Sequence, residues 1–593
     1  MTTWQELRQV SLSEYTDAAD GWGKVSSRAN AAKDRVDNEM LGKLRETQKG
    51  ETATAAIGDL ERLSRNYQYI HTECGLIRTA LNGLAAELEA PKNKLKRALQ
   101  LAEDNKFTVK ADGSVQYPAA VPFASGNATA TPGAPIPLLP GSAEGGADRN
   151  KALAEQIAED IAAAVREADE IDGRYARVLR KLKTTDGLDV TDAMFADAAQ
   201  DTRDLQKAAG DYAKASDIPQ GKSAADNAAW WKSLDAERQA EYATLYPASI
   251  GALDGLPSAV RDDANRMVLA ETRAKYQLEL NSFPAEPARY VANPNGSYPA
   301  AVESEDWRKW KSRKEELEKG LKGMNAIQKR FDAPPSEGLP PAFLLGFDAK
   351  GTGRAIIANG NPDTADNTAV YVPGTTARLE GIGGDINRMT EMWRAANTEA
   401  PGETTSTITW LGYDPPQAIV SEATEKQWAY DGSPKLNDFM DGLEAAQGGA
   451  DASHTTVIGH SYGSTVVGDA SNKGDLSADD IIVAGSPGML VAEADDLDVP
   501  KGHVWSAAAG DDFVPTGGKL AGLGGRKWDV HTWNGIPYDA GYIQTVPSDE
   551  AFGAHRMDVD TSGHSDYWKR DSLSLRNQAL VVVGDYHRVE EDD

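Results

Sequence analysis

The sequence predicts an α/β domain, with a mostly parallel sheet and helices on both of its faces, preceded by a large all-helical region. In the first half of the chain, apolar residues recur at spacings of three and four, from Tyr15 to Leu44 and again from Ile157 to Leu182. This spacing is typical of long amphipathic helices. From about residue 340 onward, short β-rich runs such as Ala369–Val372 and Ile481–Ala484 alternate with helical stretches. That alternation indicates a parallel sheet whose crossover connections are helices.

The chain divides into four parts by its pattern. Two long helical stretches on either side of a break at Gly50 predict an antiparallel hairpin. The pair Asp112-Gly113, between short β-like runs, predicts the turn of a small β-hairpin. A stretch dense in Pro, Gly and Ala interrupts the helices, and a proline cluster ends them. We therefore expect a helical hairpin with a small β-hairpin at 1–117, a linker or loop at 118–147, a helical domain at 148–335 and the α/β domain at 336–593.

The composition excludes several classes of function. The 593 residues carry 62 basic and 91 acidic side chains, a net charge of −29, which disfavours binding to nucleic acids or to anionic membrane surfaces. The single cysteine, Cys74, rules out an intrachain disulfide and a cysteine-based metal site. We expect no metal and no cofactor. No apolar run approaches the ~18 residues of a transmembrane helix, and the first residues lack the pattern of a signal peptide. We therefore expect a cytoplasmic protein, or one exported by a route that needs no N-terminal signal.

The segment Gly459–Gly463 is the most informative motif in the chain. It reads Gly-His-Ser-Tyr-Gly, follows the short apolar run Thr455–Ile458 and precedes a helix-like stretch. A G-x-S-x-G motif between a strand and a helix forms a sharp turn that presents its serine as a nucleophile. The backbone there is strained and crowded, so only glycine fits at the two flanks. The sequence predicts Ser461 as the nucleophile, with Gly459 and Gly463 as the glycines of its turn.

A serine hydroxyl needs a base to take its proton and an acid to orient that base. In serine hydrolases built on an α/β sheet, the acid and then the histidine follow the serine along the chain. After the predicted strand 504–508 comes Asp511-Asp512-Phe513-Val514-Pro515. An apolar residue directly after the acid favours Asp512 over Asp511, although either aspartate could instead only turn the loop.

One histidine beyond these aspartates has the surroundings of a general base. His564 follows a predicted strand and a small residue, Gly563, within a loop that precedes a helix. An imidazole at such a position can reach over the edge of the sheet. His555 falls within its strand and is expected to be structural, and His460 is expected to pack rather than to transfer protons. The other histidines beyond the acid are His531 and His587.

The oxyanion of an acyl-transfer intermediate needs backbone N–H donors. We expect the first from Tyr462, directly after the nucleophile, and the second from Thr375 or its neighbour, in the loop after the third strand. The loop Gly485–Gly488 is expected to shape the pocket. The glycine-rich stretch that begins at Gly510 could cover the site as a lid.

These residues predict a serine hydrolase that cleaves an ester or related acyl bond through a covalent acyl-enzyme intermediate. The expected substrate is a small-molecule or lipid-like acyl compound. The acyl group, the leaving group and the choice between hydrolysis and acyl transfer stay open.

Six stretches together resemble an actinobacterial α/β-hydrolase family of uncharacterised function. The resemblance covers about residues 340–590 and implies an α/β-hydrolase fold with Ser461, Asp512 and His564 as a triad. The activity that it implies is esterase- or lipase-like. The stretches are Val372–Thr375, Trp410–Pro416, Gly459–Gly463, Gly485–Gly488, Asp512–Val514 and Gly563–Trp568.

The helical N-terminal region is similar in style to the helical hairpins of type VII secretion substrates. Those hairpins carry Trp-x-Gly at the turn, whereas Trp22-Gly23 here lies in the middle of a predicted helix. Tyr586–Glu590 matches the Tyr-x-x-x-Asp/Glu export pattern of such substrates, as does Tyr69–Glu73, and a chain with 19 tyrosines is expected to contain a few chance matches. Because the helical region makes up over half of the chain, the alternative function is an interaction or secreted-effector protein, whose helical region binds a protein partner while the hydrolase domain is a scaffold.

Overall fold

The computed structural model describes residues 3–118, 127–132, 149–182, 188–293, 295, 298–299, 301–333, 338–419, 421–474, 476–533 and 536–592, apart from the side chains of residues 38, 46, 127 and 529–540. Most of the predicted linker at 118–147 lies outside the described residues, as do the first two prolines of the predicted boundary, at 334 and 335. The part of that linker which is described includes a strand, Asn127–Ala130.

Helices dominate the chain up to residue 333. The short strands β1 (Thr108–Val109), β2 (Val115–Pro118) and β3 (Asn127–Ala130) form an antiparallel sheet, and β4 (Tyr290–Ala292) pairs with β5 (Ala301–Glu303). The helices are α1 (Trp4–Gln9), α2 (Leu12–Arg35), α3 (Gly42–Thr47), α4 (Glu51–Asp104), α5 (Arg149–Leu179), α6 (Asp192–Ala208), α7 (Ala224–Ser233), α8 (Ala236–Leu245), α9 (Pro247–Gly251), α10 (Ser258–Asn281) and α11 (Glu305–Phe331).

The first two long helical stretches form an antiparallel pair. A π-helical segment, Val36–Leu41, joins α2 to α3, and three residues then lead into the 54-residue helix α4. Gly50 adopts a φ of 101° at this turn, which a side chain would disfavour. Ser26 on α2 donates a hydrogen bond to the carbonyl of His71 on α4, at 2.8 Å. The apolar stripe of α5 packs against α4, with Tyr175 fully buried and donating to Glu87 at 2.6 Å.

The second part of the chain is an α/β fold. Its strands are β6 (Ala342–Asp348), β7 (Arg354–Asn359), β8 (Asn367–Val372), β9 (Thr405–Leu411), β10 (His454–His460), β11 (Asp480–Ala484), β12 (Val504–Ala507), β13 (Gly525–Trp533), β14 (Ile536–Thr545) and β15 (His555–Met557). Its helices are α12 (Ile382–Glu399), α13 (Gln427–Gln447), α14 (Tyr462–Lys473), α15 (Val514–Ala521) and α16 (Leu573–Val582).

Eight of these strands form one mostly parallel sheet, in the order β15-β12-β11-β10-β8-β9-β7-β6. The six strands from β15 to β9 are parallel, β7 is antiparallel to β9, and β6 is antiparallel to β7. The strands β13 and β14 form a separate hairpin. The carboxyl ends of the parallel strands meet at one edge of the sheet, where open α/β folds place their sites.

Helices cover both faces of this sheet. On one face, Phe439 of α13 and Val467 of α14 belong to the same apolar core as Val457 of β10. On the other face, Met389 of α12 and Ala579 of α16 share a core with Ile458, the next residue of the strand. Neighbouring residues of β10 face opposite cores because side chains alternate along a strand. This architecture confirms the predicted fold class, an α/β-hydrolase domain preceded by a large helical region.

Helix α10 joins the helical region to the sheet by covering its edge strand. The backbone N–H of Leu344 in β6 donates to Asp262 at 2.6 Å, and its carbonyl accepts from Asn265 at 3.0 Å. Arg266 donates to the carbonyl of Ala342 at 2.8 Å. An uncovered edge strand is a template for aggregation, so these side chains protect it. The predicted domain boundary near residue 336 stays a prediction. Among the described residues, no helix combines the length and the apolar character needed to cross a bilayer.

Candidate active site

Ser461 lies on a strained turn between β10 and α14. Its backbone has φ 54° and ψ −131°, a conformation rare for a residue with a side chain. Its N–H donates to the carbonyl of Ala484 at 3.0 Å, and its carbonyl accepts from the Ser464 hydroxyl at 2.6 Å. These bonds to β11 and to the first turn of α14 hold the strained conformation. Such strain is typical of a functional position.

The two glycines that flank this turn have no room for a side chain. A Cβ at Gly459 would lie 2.6 Å from the Cα of Ser464, and one at Gly463 would lie 2.1 Å from the carbonyl oxygen of Val372. Both distances are shorter than any tolerated contact with backbone. The motif therefore requires glycine at both positions so that α14 can start close to β10 and β8.

His564 forms a hydrogen bond with one of the two candidate aspartates. Its Nδ1 lies 2.8 Å from the Asp512 carboxylate, whose side chain is fully buried. Burial alone would raise the pKa of Asp512, but hydrogen bonds from His564, Tyr567 and the Val514 N–H hold that pKa below its ordinary value. The carboxylate therefore stays ionised beside the imidazole. Asp511 is exposed and accepts instead from the N–H of Gly563, at 2.7 Å.

Tyr567 also holds the Asp512 carboxylate. Its hydroxyl donates to the same carboxylate oxygen at 2.7 Å and accepts from the N–H of Ala509 at 3.1 Å. The phenol is fully buried and fixes the orientation of the carboxylate. Our reading of the sequence assigned Tyr567 no role. The signal was its position three residues after His564, within the stretch that carried the family resemblance.

Gly485 makes room for the pair of Asp512 and His564. It follows β11 with a φ of +56°. A Cβ at this position would lie 2.6 Å from the Asp512 carboxylate and 2.8 Å from Nδ1 of His564. The expectation that this loop shapes the pocket therefore has a specific cause, since a side chain here would push the imidazole and the carboxylate apart.

The two expected oxyanion donors lie beside Ser461. A Cβ at Gly374 would be 2.7 Å from Ser461 Cβ and 2.8 Å from the Tyr462 nitrogen, so the loop after β8 lies directly against the serine. The N–H of Thr376 is occupied by the carbonyl of Pro416 at 2.7 Å. Among the described residues, the N–H groups of Thr375 and Tyr462 have no hydrogen-bond partner. Tyr462 is the first residue of α14, where backbone N–H groups are normally free.

His460 supports the backbone of His564. Its ring is buried, and it stacks on the His564 ring with the centroids 4.8 Å apart. Its Nε2 lies 2.8 Å from the carbonyl oxygen of His564, so the neutral tautomer with a proton on Nε2 donates there. Burial, followed by the charge of Arg388, lowers the pKa of His460 to about 3, which keeps the ring neutral. The sequence indicated a packing role, and the structure adds this hydrogen bond.

One cavity of about 670 Å³ is lined by both Ser461 and His564. Thr375 and Tyr462 also line it, as does Arg388, which forms an ion pair with Asp385 at 2.8 Å. Much of the remaining wall is apolar. Apolar lining residues include Ile419, Pro487, Phe513, Val514, Ala521 and Leu523.

The remaining sequence predictions concern the other histidines, the glycine-rich insertion and metal binding. His555 contacts Glu591 and stacks on Trp505, and His587 contacts Asp585, so neither contacts the pair of Asp512 and His564. The His531 side chain lies outside the described side chains. Of the glycine-rich insertion, α15 lines the cavity, while β13 and β14 form a hairpin beyond it. In the described parts of the chain, His, Cys, Asp and Glu form no group arranged to hold a metal.

Comparison with known proteins identifies the α/β part. A family model described as alpha/beta hydrolase matches residues 348–522. The uncharacterized protein Rv2079 of Mycobacterium tuberculosis is 28% identical over 388 residues, which are 62% of this chain and 56% of that protein. The chain therefore spans just over half the length of this relative. The uncharacterized proteins Rv0963c of Mycobacterium tuberculosis and Mb0988c of Mycobacterium bovis are each 30% identical over 185 residues, 30% of this chain and 68% of each relative. The chain belongs to an actinobacterial family of α/β hydrolases.

Proposed function

We propose that this protein is a serine hydrolase that cleaves an ester or related acyl bond without a cofactor. The observation that carries the proposal is the hydrogen-bonded pair of His564 and Asp512, which borders the same cavity as Ser461 on its strained turn. A hydroxyl, a buried carboxylate and an imidazole, in that order along the chain, are the parts of a charge-stabilised general-base system.

In the first half of the reaction, Ser461 acts as the nucleophile. Its hydroxyl oxygen attacks the carbonyl carbon of the substrate while its proton moves to Nε2 of His564. Asp512 stabilises the resulting imidazolium through the bond to Nδ1. The tetrahedral intermediate then collapses, the proton passes from His564 to the leaving group, and an acyl ester of Ser461 remains.

The N–H groups of Tyr462 and Thr375 are the proposed donors to the oxyanion of that intermediate. Their lack of partners among the described residues supports this role, because a donor already engaged would have to break a bond to help. In the second half of the reaction, His564 takes a proton from water, the hydroxide attacks the acyl ester, and Ser461 regains its proton as the acid leaves.

The rim of the cavity supports an acyl chain as part of the substrate. Phe513 and Ile419 line the cavity and yet are 86% and 73% exposed. Leu520, on the same helix α15 as several lining residues, is 88% exposed. Large exposed apolar side chains grouped at a cavity mark a binding surface for an apolar partner. We therefore propose a lipid-like acyl ester as the substrate class.

A fluorophosphonate probe tests the proposal directly. It should label the folded protein at Ser461, which peptide mass spectrometry would locate. Ser461→Ala should abolish labelling, and His564→Ala should slow it by at least about a hundredfold, as expected for loss of a general base. Ser565→Ala is the matched control, because Ser565 also lines the cavity but does not lie on the strained turn. This variant should be labelled as fast as the wild type.

A folded protein that resists the probe would favour the alternative function, in which the hydrolase domain is only a scaffold. Circular dichroism of each variant separates that outcome from unfolding. Turnover of p-nitrophenyl esters of increasing chain length would then define the acyl preference.

A further inference from the structure

A second cavity, of about 720 Å³, lies within the helical region and shares no lining residue with the first. Its walls come from α2, the π-helical segment, α3, α4, α6, α10 and α11. The lining side chains include seven lysines and arginines and four carboxylates, a net charge of +3 in a chain of net charge −29. We call it the helical cavity. Two of the lining arginines also pair with carboxylates outside the lining, Arg266 with Asp262 and Arg62 with Asp59, which leaves an excess of one positive charge. An unneutralised positive charge attracts anions into the cavity.

Arg273 is a cation of the helical cavity that has no protein acceptor among the described residues. Two of its cationic neighbours are neutralised, since Arg65 pairs with Asp192 at 2.6 Å and Arg45 with Glu61 at 2.6 Å. Within the described residues, Arg273 makes no hydrogen bond and no ion pair. Burial, followed by the like charge of Arg65, lowers the pKa of the Arg273 guanidinium. A partly buried cation without an acceptor is destabilising, and an anion would relieve that cost.

Gln68 supplies a second free donor to the same cavity. Its side chain is only 6% exposed, and its amide nitrogen has no hydrogen-bond partner among the described residues. It lines the helical cavity from α4. Buried polar groups in native proteins are almost always satisfied, so an unsatisfied donor that borders a cavity indicates a missing acceptor. A guanidinium and an amide N–H₂ can both be satisfied by an oxyanion, which only accepts hydrogen bonds.

The helical cavity also has an apolar wall. Phe195, Leu269 and Phe331 line it, and the Arg65 guanidinium lies 5.5 Å from the centroid of the Phe195 ring. The cationic and the apolar parts of the wall are therefore neighbours. A ligand that fits both would carry a charged group on an apolar body, rather than being a bare inorganic ion.

We propose that the helical cavity is a binding site for an organic anion, a phosphate ester or a carboxylate on an apolar body. The oxyanion would contact Arg273 and Gln68, and the apolar body would lie against Phe195 and Leu269. The site is separate from the proposed hydrolase site and does not depend on it. Arg266 connects it to the sheet, because this lining residue also donates to the carbonyl of Ala342 in β6.

Thermal melting of the full chain with phenyl phosphate, benzoate and inorganic phosphate tests the proposal. Ligands that bind only the folded state raise the melting temperature in a saturable way. Phenyl phosphate or benzoate should do so, each more strongly than inorganic phosphate. Whichever of the two binds more tightly identifies the preferred oxyanion. No saturable shift with any of the three up to about 10 mM would overturn the proposal.

Three variants locate the site. Arg273→Gln should weaken the apparent affinity at least about tenfold, because a charge-assisted hydrogen bond is lost. Gln68→Met removes the unsatisfied donor, so it should leave the free protein at least as stable as the wild type while also weakening ligand binding. Lys275→Gln is the matched control, since it removes the same charge from the exposed side of the same helix. Equal ligand-induced shifts in all three variants would mean non-specific anion binding and would refute the assignment.

Discussion

His460 affects the stability of the fold in two ways, and substitutions can separate them. Its ring donates a hydrogen bond to the backbone of His564, and burial keeps that ring from accepting a proton. We consider His460→Phe, which keeps a flat ring for stacking but has no donor, and His460→Gln, which keeps an amide donor near the position of Nε2. Neither variant titrates. Comparison of the wild type with the two variants therefore separates the contribution of the hydrogen bond from the contribution of the lowered pKa.

The magnitude of the titration effect follows from the pKa of His460, which burial lowers from 6.5 to about 3. Between these values the unfolded chain binds a proton at this residue and the folded protein does not. Stability is therefore lost as the pH falls below 6.5, by about 1.4 kcal/mol for each pH unit. From pH 7.5 to pH 5.0 the loss is about 2 kcal/mol for the wild type. Both variants should lack this contribution.

The donor effect adds to this without depending on pH. In His460→Phe, the carbonyl of His564 loses its partner, which costs about 1–3 kcal/mol. The variant should be less stable than the wild type at pH 7.5 by about that amount, and its disadvantage should shrink by about 2 kcal/mol at pH 5.0. His460→Gln should recover most of the stability at pH 7.5 and show the same shrinkage.

Urea denaturation at several pH values measures these differences, and the rate of fluorophosphonate labelling at pH 7.5 reports the position of His564. Labelling should be slower in His460→Phe and largely restored in His460→Gln. The reasoning is refuted if the stability difference between the wild type and His460→Phe is the same at both pH values. It is also refuted if the two variants label at equal rates.

Three further predictions concern single substitutions. Gly485→Ala should lower kcat for a nitrophenyl ester by at least about a hundredfold, because the new methyl group would lie 2.6 Å from the Asp512 carboxylate; an unchanged kcat would contradict the packing described for this loop. Between pH 5 and pH 8, Glu73→Gln should gain about 3.5 kcal/mol of unfolding free energy relative to the wild type, because burial and the charge of Asp201 raise the pKa of Glu73 to about 8. The wild type loses this stability as the pH rises from 4.5 to 8, so the unfolding free energies of wild type and variant, measured with urea, should differ more at pH 8 than at pH 5. An equal difference at the two pH values would contradict the assignment. Phe513→Ser should reduce kcat/KM for long-chain esters by roughly tenfold, through lost apolar contact, and leave acetate esters unaffected; an equal loss for both esters would place Phe513 outside the acyl site.

Much of the fold could be predicted because its signals are local. The period of apolar residues distinguishes helices from strands, and each of the eight strands of the main sheet contains or overlaps a β-rich run visible in the sequence. The turn at Ser461 was predictable for the same reason, since five consecutive residues between a strand and a helix define its geometry. The hairpin of β13 and β14 was not predicted, because its glycine-rich surroundings read as a loop.

The order of elements along the chain predicted which residues could meet, but not how they are held. Asp511 and Asp512 differ by one position, and only the path of the loop decides that Asp512 faces the imidazole while Asp511 accepts from the backbone. The contacts of Gly485 and Tyr567 with Asp512, like that of His460 with His564, join segments that lie far apart in the sequence. A periodicity or a motif carries no information about such pairs.

The sequence by itself determined the fold class, the strained serine turn and a short list of candidate residues for proton transfer, because helix period, strand alternation and turn chemistry act over a few neighbouring residues. Only the tertiary structure decided which carboxylate contacts His564, which glycine makes room for that pair, and that six helices and a π-helical segment enclose a cationic cavity in an acidic protein. Those features arise where chain segments tens to hundreds of residues apart pack together, and burial and charge at such junctions depend on every segment that contributes to them.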